Sequence, residues 1–249
     1  TFGRAAAAEE GDRGAAAALA RGLRAAGVNV TSDALHTARR ILAARAAGRP
    51  FVMAFAGYST TAGRGNLFNQ SYPLVAGQLL AGPFEEFLGA PEGEGLVVRN
   101  AALGGVPSFP YGWCLDSFLG SDADVVSWEF TLNEAGGIPG GLEAYIRHVS
   151  HMEKVPKLIV KDSPMARGRL EVLKRYSEIN VLRDAVAIYS DLAIDDYTTQ
   201  HPHTKEEQKP EGFQKWGEFG APKGSPGQVK WHPAYQEHAL YGWTIAVHM

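Results

Sequence analysis

A single cysteine, Cys114, stands among 249 residues. That excludes an intrachain disulfide and a zinc site built on cysteines. Positive charge is not in surplus either: 24 basic residues against 27 acidic ones leave the chain at −3. A nucleic-acid partner, which needs a basic surface to displace counterions from phosphates, is therefore not expected. No apolar run approaches the roughly 18 residues that cross a bilayer, so no integral membrane segment is expected. Internal repeats are also missing. What remains is an ordinary balance of 45% hydrophobic and 20% charged residues, in a chain long enough to bury one substantial core.

The compartment stays open. Two N-x-S/T sequons, Asn29-Val30-Thr31 and Asn69-Gln70-Ser71, point toward the secretory pathway or the extracellular space. The lone cysteine fits a reducing compartment equally well. No signal-peptide pattern opens the chain, and a start at threonine reads as processed or trimmed, with any targeting segment removed.

Residues 1–48 are rich in Ala and Arg, with only Leu19, Leu23, Leu35, Ile41 and Leu42 as large apolar groups. They read as an N-terminal helical extension of one or two helices that packs on the body formed by residues 49–249. From residue 51 a rhythm begins. The apolar runs 51–56, 95–102, 123–130, 156–162 and 184–191 are short and continuous, as in strands covered on both faces. Helical patterns separate them: a long one including Leu67, Phe68, Leu74, Val75, Leu79, Phe84 and Phe87, another at 140–154, and a third at 166–179. Strand–helix alternation implies an α/β fold with a mainly parallel sheet of about five strands between two helical layers. Residues 192–231 turn polar and aperiodic, the mark of a functional loop. A last helix follows, with Pro233 where a first helical residue would stand.

Ligands of open parallel sheets bind beyond the carboxyl ends of the strands, so the residues that follow each strand carry the chemistry. They are Gly57-Tyr58-Ser59 after the first strand, then Asn100 and Leu103-Gly104-Gly105, then Thr131-Leu132-Asn133-Glu134. Trp231-His232 precedes the last helix. A serine needs a neighbouring base to become a nucleophile, and histidine is the usual base near neutral pH. Backbone N–H groups and an asparagine amide stabilise the oxyanion of acyl transfer, each worth on the order of 10² to 10³ in rate.

The ordered set "GYS", "RNAALGG", "WEFTLNE" and "WHPAYQEH" resembles the four blocks of the SGNH (GDSL-like) hydrolases. The resemblance runs over roughly residues 51–247. It implies a three-layer α/β/α, flavodoxin-like fold and cleavage of esters, often acetyl or acyl groups on carbohydrates and lipids. It further implies Ser59 as nucleophile, His232 as base, and Ser59 N–H, Gly105 N–H and the Asn133 amide as the oxyanion hole. Tyr58, Gly104 and Trp231 flank these positions and are candidate substrate contacts. The resemblance implies no metal and no organic cofactor. His238, six residues after His232, reads as a structural residue bonding back to the loop of His232.

The departures are specific. Val229 stands where the family places the triad aspartate, Tyr58 replaces the aspartate of G-D-S, and Thr131 replaces a glycine. Loss of the carboxylate from a serine triad costs on the order of 10⁴ in rate. A backbone carbonyl, or a carboxylate such as Glu129, Glu134 or Asp196, is the candidate substitute, and a Ser–His dyad is the minimal expectation. Three functional readings follow. The first is a serine esterase acting through an acyl-serine intermediate on a small-molecule or carbohydrate ester. The second is an inactive SGNH-like binding or structural subunit of a larger protein assembly. The third is a glycan O-acyltransferase using the same site.

Overall fold

The computed structural model describes residues 30–134, 140–161, 167–178, 184–188, 232–233 and 235–249. Helix α1 (Val30–Ala46) leads into β1 (Phe51–Gly57). A turn and a short 3-10 segment, Phe68–Gln70, precede α2 (Tyr72–Leu88) and β2 (Leu96–Asn100). Two short helices, α3 (Ser108–Tyr111) and α4 (Leu115–Leu119), lead to β3 (Val125–Glu129). Then come α5 (Gly140–Val149), β4 (Lys157–Lys161), α6 (Arg167–Glu178), β5 (Val186–Ile188) and α7 (Tyr235–His248).

The five strands form one sheet in the order β2-β1-β3-β4-β5, and every pairing is parallel. Alternation along β1 sorts its side chains between two cores. Val52, Ala54 and Ala56 face α3–α6, joining Tyr111, Leu115, Leu142, Tyr145, Ile146 and Leu173. Phe51, Met53 and Phe55 face the other layer, joining Ala44 of α1, Tyr72, Ala76, Leu80 and Phe84 of α2, and Tyr241 and Ile245 of α7. The fold is thus α/β/α in three layers. Each large side chain fully removed from water contributes about 1.5–3 kcal/mol before entropy is charged against it.

Several polar groups inside these layers are paired. The Tyr145 hydroxyl donates to the Ser127 carbonyl at 2.7 Å. Asp124, at the entry to β3, takes both arms of the Arg49 guanidinium at 2.6 Å and also the Val52 N–H at 2.9 Å. At the amino end of β4, the buried Lys157 ammonium donates to Thr37 at 2.6 Å and lies 2.6 Å from the Asp33 carboxylate. Helix α1 is thereby fastened to the sheet at the edge opposite the strands' carboxyl ends.

The α2 segment departs from the sequence expectation. Leu67, Phe68, Leu79 and Phe87 are exposed, whereas Tyr72, Pro73, Ala76, Leu80 and Phe84 are buried. The core face is the i, i+4 row that begins at Tyr72. It is selected by close approach to α7, where a Cβ on Gly242 would lie 2.6 Å from Val75 Cγ1.

Candidate active site

In this strand order the chain leaves β1 in one direction for β2 and returns to pair β3 on its other side. The crevice at the carboxyl ends of β1 and β3 is therefore the topological switch point, where open α/β sheets bind ligands. Ser59 lies two residues beyond β1, and Asn133 lies four residues beyond β3.

The chain turns sharply over the end of β1. Tyr58 N–H donates to the Glu129 carbonyl at 3.0 Å, Ala62 N–H returns to the Tyr58 carbonyl at 3.0 Å, and Gly63 N–H returns to Thr60 at 2.9 Å. Gly57 makes the turn possible, because a Cβ there would sit 2.0 Å from Thr61 Oγ1 and 2.9 Å from the Glu129 carbonyl. Ser59 stands on this turn, only 8% exposed. Its Oγ lies 2.8 Å from His232 Nε2, bridging residues 173 positions apart in the chain. With Nε2 accepting from the hydroxyl, the ring proton is on Nδ1.

The segment that carries His232 is tied to the serine turn a second time, for Asn66 Nδ2 donates to the Pro233 carbonyl at 2.9 Å. Helix α7 begins at Tyr235, so Pro233 precedes the helix rather than opening it.

The loop after β2 closes the other side. Leu103 N–H donates to the Gly57 carbonyl at 3.0 Å, and a Cβ on Gly104 would lie 3.6 Å from Ser59 Cβ. Gly105 follows with φ of +78°, in the left-handed region glycine prefers. Asn133 Nδ2 reaches across to the Val106 carbonyl at 3.2 Å, tying the β3 loop to this one. Among the described residues, no backbone carbonyl takes up the Ser59 or Gly105 N–H. Tyr58 is buried at 5% exposure.

Two of the three carboxylates weighed as triad substitutes have other partners. Glu134 accepts the Ser108 N–H at 2.7 Å at the start of α3. Glu129 binds the Lys161 ammonium and the hydroxyls of Thr61 and Tyr72. Asp196, Val229 and Trp231 lie outside the described residues. Among the described residues, the hydrogen bond of His238 goes to the start of α2. Its Nδ1 accepts the Tyr72 N–H at 3.2 Å, satisfying a donor in the first turn of α2. Burial, with the Lys161 charge nearby as a lesser cause, pushes the His238 imidazole down to about 3.

Asn100, singled out after the second strand, has a framework task, and other framework residues escaped the sequence reading. Asn100 holds the serine turn by donating to the Thr61 carbonyl at 2.8 Å and to Ser71 Oγ at 3.2 Å. Thr61, Asn66 and Tyr72 belong to the same framework. All of them lie in "STTAGRGNLFNQSYP" or at the end of "LVVRN", so their density after the first two strands was the available signal.

No protein-family model matches the chain, and no curated protein matches it. Among solved structures, two of a two-domain esterase (CEX) active on acetylated mannans match it, one of them co-crystallised with mannopentaose. Their TM-scores are 0.56 and 0.55, their identities 19% and 18%, over 86% and 85% of this chain. The chain spans about half (52%) of the length of that esterase. A protein assigned to the G-D-S-L family of lipolytic proteins, from Desulfitobacterium hafniense DCB-2, is 16% identical over 80% of this chain and 99% of that one, with a TM-score of 0.47. The chain shares the fold of the matching part of that esterase, a parallel five-stranded sheet between two helical layers.

Proposed function

We propose that this chain is a serine ester hydrolase, with Ser59 as nucleophile and His232 as general base. The observation that carries the reading is the 2.8 Å approach of Ser59 Oγ to His232 Nε2 at the sheet's switch point, inside the 2.6–3.2 Å range of a working nucleophile–base pair. Ser59 Oγ attacks the ester carbonyl while His232 Nε2 takes its proton. The oxyanion is received by Ser59 N–H, Gly105 N–H and the Asn133 amide, whose second N–H is free of the bond to Val106. The intermediate collapses, and His232 gives its proton to the departing alcohol. Water then attacks the acyl-serine by the reverse use of the same groups.

The substrate is a small-molecule or carbohydrate ester. The shared fold of an esterase active on acetylated mannans makes an acetylated oligosaccharide the first natural-type substrate to assay. Purified Ser59→Ala and His232→Ala should each lose hydrolysis of p-nitrophenyl acetate, by at least about 10³-fold, while melting near the wild-type temperature. Retention of wild-type turnover by either folded variant would overturn the assignment.

A further inference from the structure

We infer that Glu129 and Lys161 form a buried positioning pair beneath the serine turn, holding Ser59 to His232 through Thr61 and Tyr72. The inference rests on the proposed nucleophile and base, and extends them to the layer underneath.

Strand register places the pair. Gly57 of β1 is opposite Glu129 of β3, and Trp128 is opposite Val160, so Gly57, Glu129 and Lys161 close three adjacent strands at the site edge. Glu129 is 2% exposed and Lys161 7%. Each Glu129 oxygen has its own task. One binds the Lys161 ammonium. The other accepts the Thr61 hydroxyl and the Tyr72 hydroxyl at 3.1 Å. The Glu129 carbonyl accepts Tyr58 N–H. One residue thus grips the turn at positions 58 and 61, on either side of Ser59.

The pair also touches the side of the site that carries the base. Lys161 Nζ lies 4.0 Å from the centroid of the Tyr241 ring on α7. Tyr72, bound to Glu129 through its hydroxyl, donates its N–H to His238 of α7. His232 stands three residues before that helix.

Stability does not account for this arrangement. A buried ion pair seldom improves on apolar residues of the same volume, because desolvation offsets the attraction. What the pair supplies is direction. A carboxylate fixed on one side by an ammonium can accept only from the groups its remaining lone pairs face. Here those groups belong to the serine turn and to the start of α2.

The test uses pre-steady-state acylation by p-nitrophenyl acetate together with thermal melting. Thr61→Val removes the hydroxyl without changing side-chain shape. It should fold and slow acylation by about 10- to 100-fold, the scale of a misplacement near 1 Å, with KM little changed. Thr61→Ser, which keeps the hydroxyl, should recover most of that loss. Glu129→Gln leaves Lys161 buried beside a neutral partner and should lose both stability and rate. Adding Lys161→Met to Glu129→Gln should restore the melting temperature but not the acylation rate. A folded Thr61→Val with wild-type acylation, or a double variant that regains rate along with stability, overturns the positioning role and leaves the Ser59 reading intact. A folded wild type that never acylates at Ser59 overturns both.

Discussion

Gly57→Ala is the smallest change that tests how the serine turn is built. The added methyl carbon would meet Thr61 Oγ1 at 2.0 Å, Thr61 Cβ at 2.6 Å and the Glu129 carbonyl oxygen at 2.9 Å. Rotation of Thr61 relieves the first contact, at the cost of its bond to the Glu129 carboxylate. The other two cannot be relieved that way, because Cβ and a strand carbonyl move only with the backbone. That same carbonyl accepts the Tyr58 N–H at 3.0 Å, so pushing it away strains the connection that begins the turn. Overpacking of this kind costs about 1–3 kcal/mol. A lost hydrogen bond to a charged acceptor adds about 1.5–3 kcal/mol. A destabilisation near 3 kcal/mol lowers the melting temperature of a domain this size by about 6–12 °C. Ser59, two residues along, must shift with the turn, and a displacement near 1 Å costs up to about 10²-fold in rate. Thermal melting and p-nitrophenyl acetate hydrolysis at a temperature where the variant is folded measure the two effects. A variant that melts within 2 °C of wild type and turns over normally would refute the close packing of Gly57 against Thr61 and Glu129.

Two further perturbations act elsewhere in the site. Gly104→Ala places a methyl 3.6 Å from Ser59 Cβ, an ordinary contact, at a residue outside the left-handed region. It should melt like wild type yet lose about 10-fold in kcat/KM as the space for the acyl group narrows; unchanged kinetics would remove the β2 loop from the site. His238, held neutral with its imidazole pushed down to about 3, binds a proton near pH 6.5 only when the chain unfolds. Its contribution is therefore complete above pH 6.5. It is lost on acidification at about 1.4 kcal/mol per pH unit until the folded imidazole itself titrates near 3. His238→Asn keeps an acceptor for the Tyr72 N–H and should flatten the pH dependence of the unfolding free energy, measured by urea titration, by that slope. Equal slopes for the two proteins would place His238 in contact with solvent.

The architecture was legible because each of its cues is local. The five apolar runs at 51–56, 95–102, 123–130, 156–162 and 184–191 correspond to five parallel strands. The α5 face of Leu142, Tyr145, Ile146 and Val149 is buried as its spacing predicts. Where the decisive contact was long-range, the reading failed. The buried face of α2 is set by a glycine on α7, so the large side chains Leu79 and Phe87 misled and the small Ala76 went unnoticed. The acceptor role of His238 went unseen for the same reason: it is defined by the first turn of α2, 166 residues earlier. Glu129 was noticed only as a carboxylate near a strand end. Its link to Lys161 depends on β3–β4 register, which no local pattern reveals.

The central claim is that Ser59 is a nucleophile assembled by His232. Fluorophosphonate labelling of the wild type, Ser59→Ala and His232→Ala, with the modified residue located by mass spectrometry, addresses it most directly. The account predicts one phosphonylated residue, Ser59, in the wild type, none in Ser59→Ala, and labelling slowed by at least about 10³-fold in His232→Ala. A folded wild type that stays unlabelled, or one labelled at another residue, would contradict it.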